Sequence, residues 1–237
     1  MSRPRKERPS LIQEDGAMAA LHIPGHTNQR PREVTLEEIR AVVGDCRLCP
    51  LGETRTNLVF GVGNPDARVM FVGEGPGKNE DLQGEPFVGA AGQKLNGLLG
   101  LAGLRREDIY IANVIKCRPP GNRNPKPEEI HACAPYLREQ IRSIWPDVIV
   151  CLGNFATQFV LRTEAGVTKL RGKLYKTGHF VVMPTFHPAA TIYHQEWLPL
   201  LESDMRMLGA WLADNPAAGS TGPAGPAAPS SPSGEKR

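Results

Sequence analysis

Cys46 and Cys49 form a Cys-x-x-Cys pair, and Cys117 and Cys133 follow with fifteen residues between them. Four thiolates so placed can hold a tetrahedral zinc ion or an iron–sulfur cluster. The fifth cysteine lies in Val148-Ile149-Val150-Cys151-Leu152 and reads as a small hydrophobe in a buried strand. Cys117 sits in a proline-rich stretch that carries Lys116, Arg118, Arg123 and Lys126 and no acid. Such a stretch suits a phosphate backbone about as well as it suits a solvated loop.

Three further polar groups stand just after apolar runs. Gly73-Glu74-Gly75-Pro76-Gly77 follows Val69-Met70-Phe71-Val72. Its glycines let the backbone approach a ligand, but the spacing is neither a dinucleotide fingerprint nor a Walker loop. Glu74 there is either a working carboxylate or an acceptor for loop N–H groups. Asn113 stands near the end of the run Ile109 to Ile115, just ahead of the basic Cys117 loop. Its amide, with one acceptor and two donors, can pair with an O4/N3–H edge such as that of uracil, or it can tie down a turn. His187 follows Phe180-Val181-Val182-Met183-Pro184, and Pro188 behind it fixes its direction.

Those positions need a scaffold. The apolar runs at 69–72, 109–115, 147–152 and 180–184 read as strands, almost continuously apolar, alternating with helical patterns. Helices are expected from the capping box Thr35-Leu36-Glu37-Glu38 to about Val43, over 93–101, from Pro127 to about Ile144, over 154–161 and over 197–212. The pattern predicts an α/β fold, three-layer α-β-α, with a central four-stranded parallel sheet. Its ligand site is then expected beyond the carboxyl ends of the strands. The domain spans 33–213. Residues 1–32 and the Pro/Ala/Gly/Ser-rich 214–237 are expected to be disordered extensions.

Composition narrows the function class little. Net charge is +3 over 237 residues, so the whole chain demands no polyanion. No apolar run reaches the roughly 20 residues of a membrane span. The basic start, Met1 to Arg8, has no apolar core of a secretory signal. Thiols that are free or metal-bound fit a reducing compartment, so a cytoplasmic location is expected, nucleoid-associated in a prokaryote.

The order and content of these motifs resemble the family 4 uracil-DNA glycosylases. The resemblance rests on Gly73-Glu74-Gly75-Pro76-Gly77 with Glu80-Asp81, on Gly84-x-Pro86-Phe87-Val88-Gly89-x-Ala91-Gly92, and on Asn113 four residues before Cys117. His187-Pro188-Ala189 and the four cysteines complete it, over about residues 35–212. It implies a four-iron, four-sulfur (4Fe-4S) cluster on Cys46, Cys49, Cys117 and Cys133. Gly73, Glu74 and Gly75 fall on the catalytic loop, Phe87 on the aromatic that stacks on uracil, and Asn113 on the reader of its edge. His187 falls on the second-motif histidine, with Glu80 and Asn122 as supports. Discrimination against cytosine then needs an Asn113 amide held in one orientation, and Glu80 or the backbone beside it becomes the block against a C5 methyl.

The implied substrate is uracil-containing DNA, single- or double-stranded, and the implied product an abasic site, made by a monomeric, monofunctional enzyme of base excision repair. Lys116, Arg118, Arg123 and Lys126 are expected to meet phosphates. One departure stands out: the Leu-Arg pair that the family wedges into the duplex is replaced by Ala189-Ala190-Thr191-Ile192-Tyr193-His194, which leaves Ile192 or Tyr193 as the wedge. A non-catalytic, metal-stapled DNA-binding module, or a glycosylase for deaminated purines or mismatched thymine, are the rival readings.

Overall fold

The computed structural model describes residues 12–13 and 34–217. The expectation of disorder at 1–32 and 214–237 lies outside them, except that Ile12–Gln13 pairs as a short strand and residues 214–217 continue from the last helix.

Among the described residues the strands are β1 (Ile12–Gln13), β2 (Val62–Gly63), β3 (Val69–Gly73), β4 (Tyr110–Asn113), β5 (Val148–Leu152), β6 (Leu174–Thr177) and β7 (Phe180–Thr185). They form one sheet in the order β1-β6-β7-β5-β3-β4-β2. The middle four, β7-β5-β3-β4, are parallel, as the apolar runs predict. The edges differ from expectation: β6 runs antiparallel to β7, and β2 antiparallel to β4. β1 adds a third strand, parallel to β6; all three additions are too short, and β6 too polar at Lys176, to stand out as apolar runs.

The helices used below are α1 (Leu36–Val43), α2 (Leu51–Thr54), α3 (Lys78–Gln83), α4 (Ala90–Leu99), α5 (Pro127–Ile144), α6 (Asn154–Leu161), α7 (Val167–Leu170), α8 (Ala190–Tyr193) and α9 (Leu198–Asp214). The capping box of α1 is present in both halves: Thr35 Oγ1 accepts from the Glu38 N–H, and the Glu38 carboxylate accepts from the Thr35 N–H.

Strand side chains alternate between two cores. Met70, Val72, Ile149, Cys151 and Val182 pack with α1, α5 and α6 on one face. Val69, Phe71, Val148, Val150 and Met183 pack with α4 and α9 on the other. Every residue of β3, β4, β5 and β7 is therefore buried, which is why these strands read as unbroken apolar runs. Burying polar backbone this deeply leaves only the strand ends free for loops that carry polar side chains.

Candidate active site

The register of the parallel strands gathers the site. Gly73 lies beside Asn113 on neighbouring strands, and Leu152 lies beside Thr185. The loops after β3, β4 and β7 thus leave the same edge of the sheet. The pairing runs slightly past the strands: the Val114 N–H donates to the Gly73 carbonyl at 2.9 Å and the Ile115 N–H to the Glu74 carbonyl at 3.1 Å. A pocket of about 300 Å³ opens there. Glu74, Gly75, Glu80, Phe87, Asn113, Asn122, Arg123 and His187 all line it, with Pro76, Ile115 and Pro119 as apolar wall. Its volume is at the small end of the range for ligand sites.

Close approach requires the glycines. A Cβ on Gly73 would run into Asn113 Oδ1 and stand 2.8 Å from Phe87 Cε2, and one on Gly92 would overlap the Phe87 carbonyl. Glycine at 73 lets amide and aromatic ring share one corner.

Asn113 is 2% exposed, and its Oδ1 is buried with no hydrogen-bond partner among the described residues. A buried, unmet acceptor costs about 1–3 kcal/mol, so it stands ready for a donor on a ligand. The amide oxygen lies against the Gly73 backbone, and the Asn113 backbone carbonyl accepts from Lys116 Nζ at 2.9 Å. The ring of Phe87 stacks on His187 with centroids 5.4 Å apart and 29° between planes.

His187 Nδ1 accepts the Ala189 N–H at 3.2 Å. A neutral imidazole that accepts at Nδ1 must carry its proton on Nε2. Burial favours that neutral form, holding the His187 pKa down to about 4 against the smaller opposite pull of the Glu80 charge. His187 is therefore a neutral donor at neutral pH. Glu74, half-buried, has its pKa raised by burial, and no hydrogen bond among the described residues reaches its carboxylate. The other carboxylate is engaged through one oxygen: Glu80 Oε1 accepts from the N–H groups of Val88 at 3.0 Å and Gly89 at 2.9 Å. Asn122 Oδ1 accepts from Arg118 Nε at 2.7 Å.

The structure revises the expected phosphate contacts. Lys116 is 1% exposed and donates to the Asn113 carbonyl and, at 2.6 Å, to Gln140 Oε1 on α5, so it does not reach a phosphate. Burial lowers its pKa to about 7. Nothing in the run Lys116-Cys117-Arg118 shows this, because the lysine's partner comes from α5. Arg123 lines the pocket with its guanidinium held by the buried Glu129 carboxylate. Arg118 is half-buried and Lys126 exposed. Ile192 and Tyr193, on the short α8, are 43% and 84% exposed beside the mouth.

The four cysteines group on the α5 face. A charge on Cys117 would feel Cys133 and Cys49, and one on Cys133 would feel Cys49 and Cys46. Cys151 lies apart on β5, its thiol pushed far up by burial. Two donors missed in the sequence point at the sulfurs: Arg55 Nη1 lies 3.2 Å from Cys117 Sγ, and the Tyr136 hydroxyl 3.6 Å from Cys46 Sγ. Donors of this kind stabilise thiolate charge. Arg55 also binds the Cys46 carbonyl at 2.6 Å, tying the Cys-x-x-Cys turn to the Cys117 loop. Among the described residues no group of three or more His, Cys, Asp or Glu is placed to hold a metal ion. Nor is any helix among them long and apolar enough to cross a membrane.

Comparison with known proteins agrees with this arrangement. The sequence model of the Uracil DNA glycosylase superfamily matches residues 60–208, which include every pocket loop. The chain is 46% identical over 183 residues to the type-4 uracil-DNA glycosylase of Archaeoglobus fulgidus, covering 74% of this chain and 92% of that protein. It is 51% identical over 160 residues to the type-4 enzyme of Thermotoga maritima, covering 67% and 83%. A type-5 uracil-DNA glycosylase of Pyrobaculum aerophilum is 33% identical over 144 residues, 54% and 63% of the two chains. Identity of this extent over sheet and pocket loops together makes the chain a member of the uracil DNA glycosylase superfamily, within its type-4 branch.

Proposed function

We propose that the protein is a DNA repair glycosylase that takes uracil out of the DNA stack and hydrolyses its N-glycosidic bond, leaving an abasic site. The observation that carries this reading is the buried Oδ1 of Asn113, with no hydrogen-bond partner among the described residues, in the pocket where the Phe87 ring stacks on the neutral imidazole of His187. Uracil offers N3–H to that oxygen and O4 to the amide nitrogen. Cytosine offers an acceptor at N3 and a donor at its exocyclic amine, which reverses both contacts.

Extrusion of the base costs a few kcal/mol, least at a mismatch or in a single strand. Stacking on Phe87 returns about 1–3 kcal/mol. Cleavage then places negative charge on uracil and positive charge on the sugar. His187 donates from Nε2 to O2 as charge develops there, and being neutral it does not have to lose a proton to do so. Glu74, which lines the same pocket and has no hydrogen-bond partner among the described residues, stabilises the sugar cation or orients water.

Cys46, Cys49, Cys117 and Cys133 would hold a 4Fe-4S cluster. Their sulfurs lie near enough to feel one another's charge, and Arg55 and the Tyr136 hydroxyl stand against two of them, which suits four thiolate ligands. Bound, the cluster supplies a rigid covalent tie between the Cys-x-x-Cys turn, the loop after β4 and α5, and the chemistry of base release runs beside it. Brown protein would support it; colourless, zinc-containing protein would replace it. Arg118 and Lys126 remain to meet phosphates, and Ile192 and Tyr193 to enter the duplex. The enzyme acts as a monomer on DNA in the cytoplasm.

The deciding experiment is release of base from a uracil-containing oligonucleotide, single-stranded and opposite G or A, read by alkaline cleavage at the abasic site. No release from the wild-type protein would leave a binding module or another lesion. In the same assay Asn113→Asp should lower uracil release, by about 10²-fold or more if the edge contact is worth what one preorganised donor is worth elsewhere. Unchanged preference between uracil and cytosine would take Asn113 out of base reading.

A further inference from the structure

Phe87 holds its ring on a left-handed backbone, φ 55°. A bulky residue stays in that region only where its surroundings hold it. Two peptide planes meet at its Cα, and each is fastened by a charged side chain. The plane before it carries the Pro86 carbonyl, which accepts from Arg106 Nη2 at 2.8 Å. The plane after it carries the Val88 N–H, which donates to Glu80 Oε1 at 3.0 Å. Rotation of the first plane about N–Cα is φ, and rotation of the second about Cα–C is ψ. Fixing both planes therefore fixes the direction in which the Cα–Cβ bond leaves the backbone, and the ring then settles in the rotamer that stacks on His187.

Glu80 reaches the pocket wall itself, but Arg106 does not line the pocket. It sits on the single turn Arg106–Asp108 just before β4, half-buried, and its Nη1 is anchored by Asn96 Oδ1 on α4 at 2.9 Å. Gly92, also on α4, gives the Phe87 carbonyl the space a Cβ would fill. The guanidinium thus joins α4 to the one carbonyl that sets the torsion of the aromatic.

We propose that Arg106 is a positioning residue for uracil excision: by holding the Pro86 carbonyl it keeps Phe87 in its left-handed conformation and so sets the plane on which the extruded base stacks. The proposal rests on the reading of Phe87 as the stacking platform.

The test compares Arg106→Ala and Arg106→Lys, each in wild-type and Phe87→Ala backgrounds. It reads single-turnover uracil release, affinity for free uracil and affinity for an abasic-site duplex, with crystal structures of Phe87-containing variants. Loss of a stacking contact is worth up to about a hundredfold, so a misdirected ring should cost about tenfold in release and in free-uracil affinity. Abasic-site binding, which involves no base, should stay within about twofold, and Arg106→Lys, which keeps a donor but not the fork that spans Asn96 and Pro86, should recover only part of the loss. In the Phe87→Ala background Arg106→Ala should add almost nothing, because coupled residues are not additive.

Equal losses in the two backgrounds, or an equal loss of abasic-site binding, would overturn the proposal. So would a crystal structure of Arg106→Ala with Phe87 still at positive φ and stacked on His187. Phe87→Ala with full activity would instead discard the stacking platform, and the φ of Phe87 in the Arg106→Ala structure would still decide whether the clamp exists.

Discussion

His187→Ala should release uracil about 10²–10³-fold more slowly than the wild-type protein under single-turnover conditions, the loss seen when one donor to a developing oxyanion is removed. The argument is geometric. The Ala189 N–H occupies Nδ1, so the proton lies on Nε2, and burial keeps the ring neutral. Because His187 is already neutral, its contribution to the rate should be flat from neutral pH down toward about 4. Below that the ring gains a second N–H at Nδ1 and loses its acceptor for Ala189. Stability moves with a definite sign. The unfolded imidazole, at its ordinary 6.5, binds a proton before the folded one does. The contribution of the neutral ring is therefore complete above 6.5 and is lost as pH falls through about 4. His187→Ala should flatten that acid limb of Tm against pH. A full-rate His187→Ala protein would end the electrophile assignment.

The Glu74→Gln variant should be slower by about 10²–10⁴-fold, the usual range for a carboxylate acting on a proton or a developing cation. Its stability should move the other way. Burial raises the Glu74 pKa, and no hydrogen bond among the described residues compensates the charge. A raised carboxylate contributes its stability at acid pH, below the unfolded pKa, and loses it as pH rises through the folded value. The ionised form at neutral pH is a standing cost to the fold. Glu74→Gln should therefore have a Tm at neutral pH equal to or above that of the wild type, with the difference vanishing in acid. Slower and more stable together identify a residue kept for chemistry. Slower and less stable would make Glu74 a structural carboxylate.

The sheet was legible in the sequence because its four central strands are buried on both faces, and burial on both faces writes unbroken apolar runs. Asn113 and His187 were legible because polar side chains directly after such runs have few reasons to be there. Other features were hidden for identifiable reasons. Lys116 reads as part of a basic loop until Gln140, twenty-four residues on, is seen to bind it. Arg55 has no motif and acquires its role only when the Cys-x-x-Cys turn folds against Cys117. Pro86-Phe87-Val88 gives no hint of a positive φ at the aromatic, since phenylalanine is among the last residues one would assign there. Contacts between distant segments and strain imposed by them are tertiary facts, and a local pattern does not carry them.

The strand order has one more consequence, for the time at which activity appears. No neighbouring pair among β7, β5, β3 and β4 is joined by a tight turn, since parallel neighbours require a crossover. The pairing that seats Gly73 beside Asn113 waits for α3 and α4 to be placed, and the one that seats Leu152 beside Thr185 waits for α6 and α7. Folding dominated by such distant contacts is slow and all-or-none in character. The pocket draws on the ends of strands that span most of the domain, so it has no half-built form. A chain arrested during synthesis before β7 would hold Glu74, Phe87 and Asn113 without His187, and the first catalytic turnover marks the completion of the sheet.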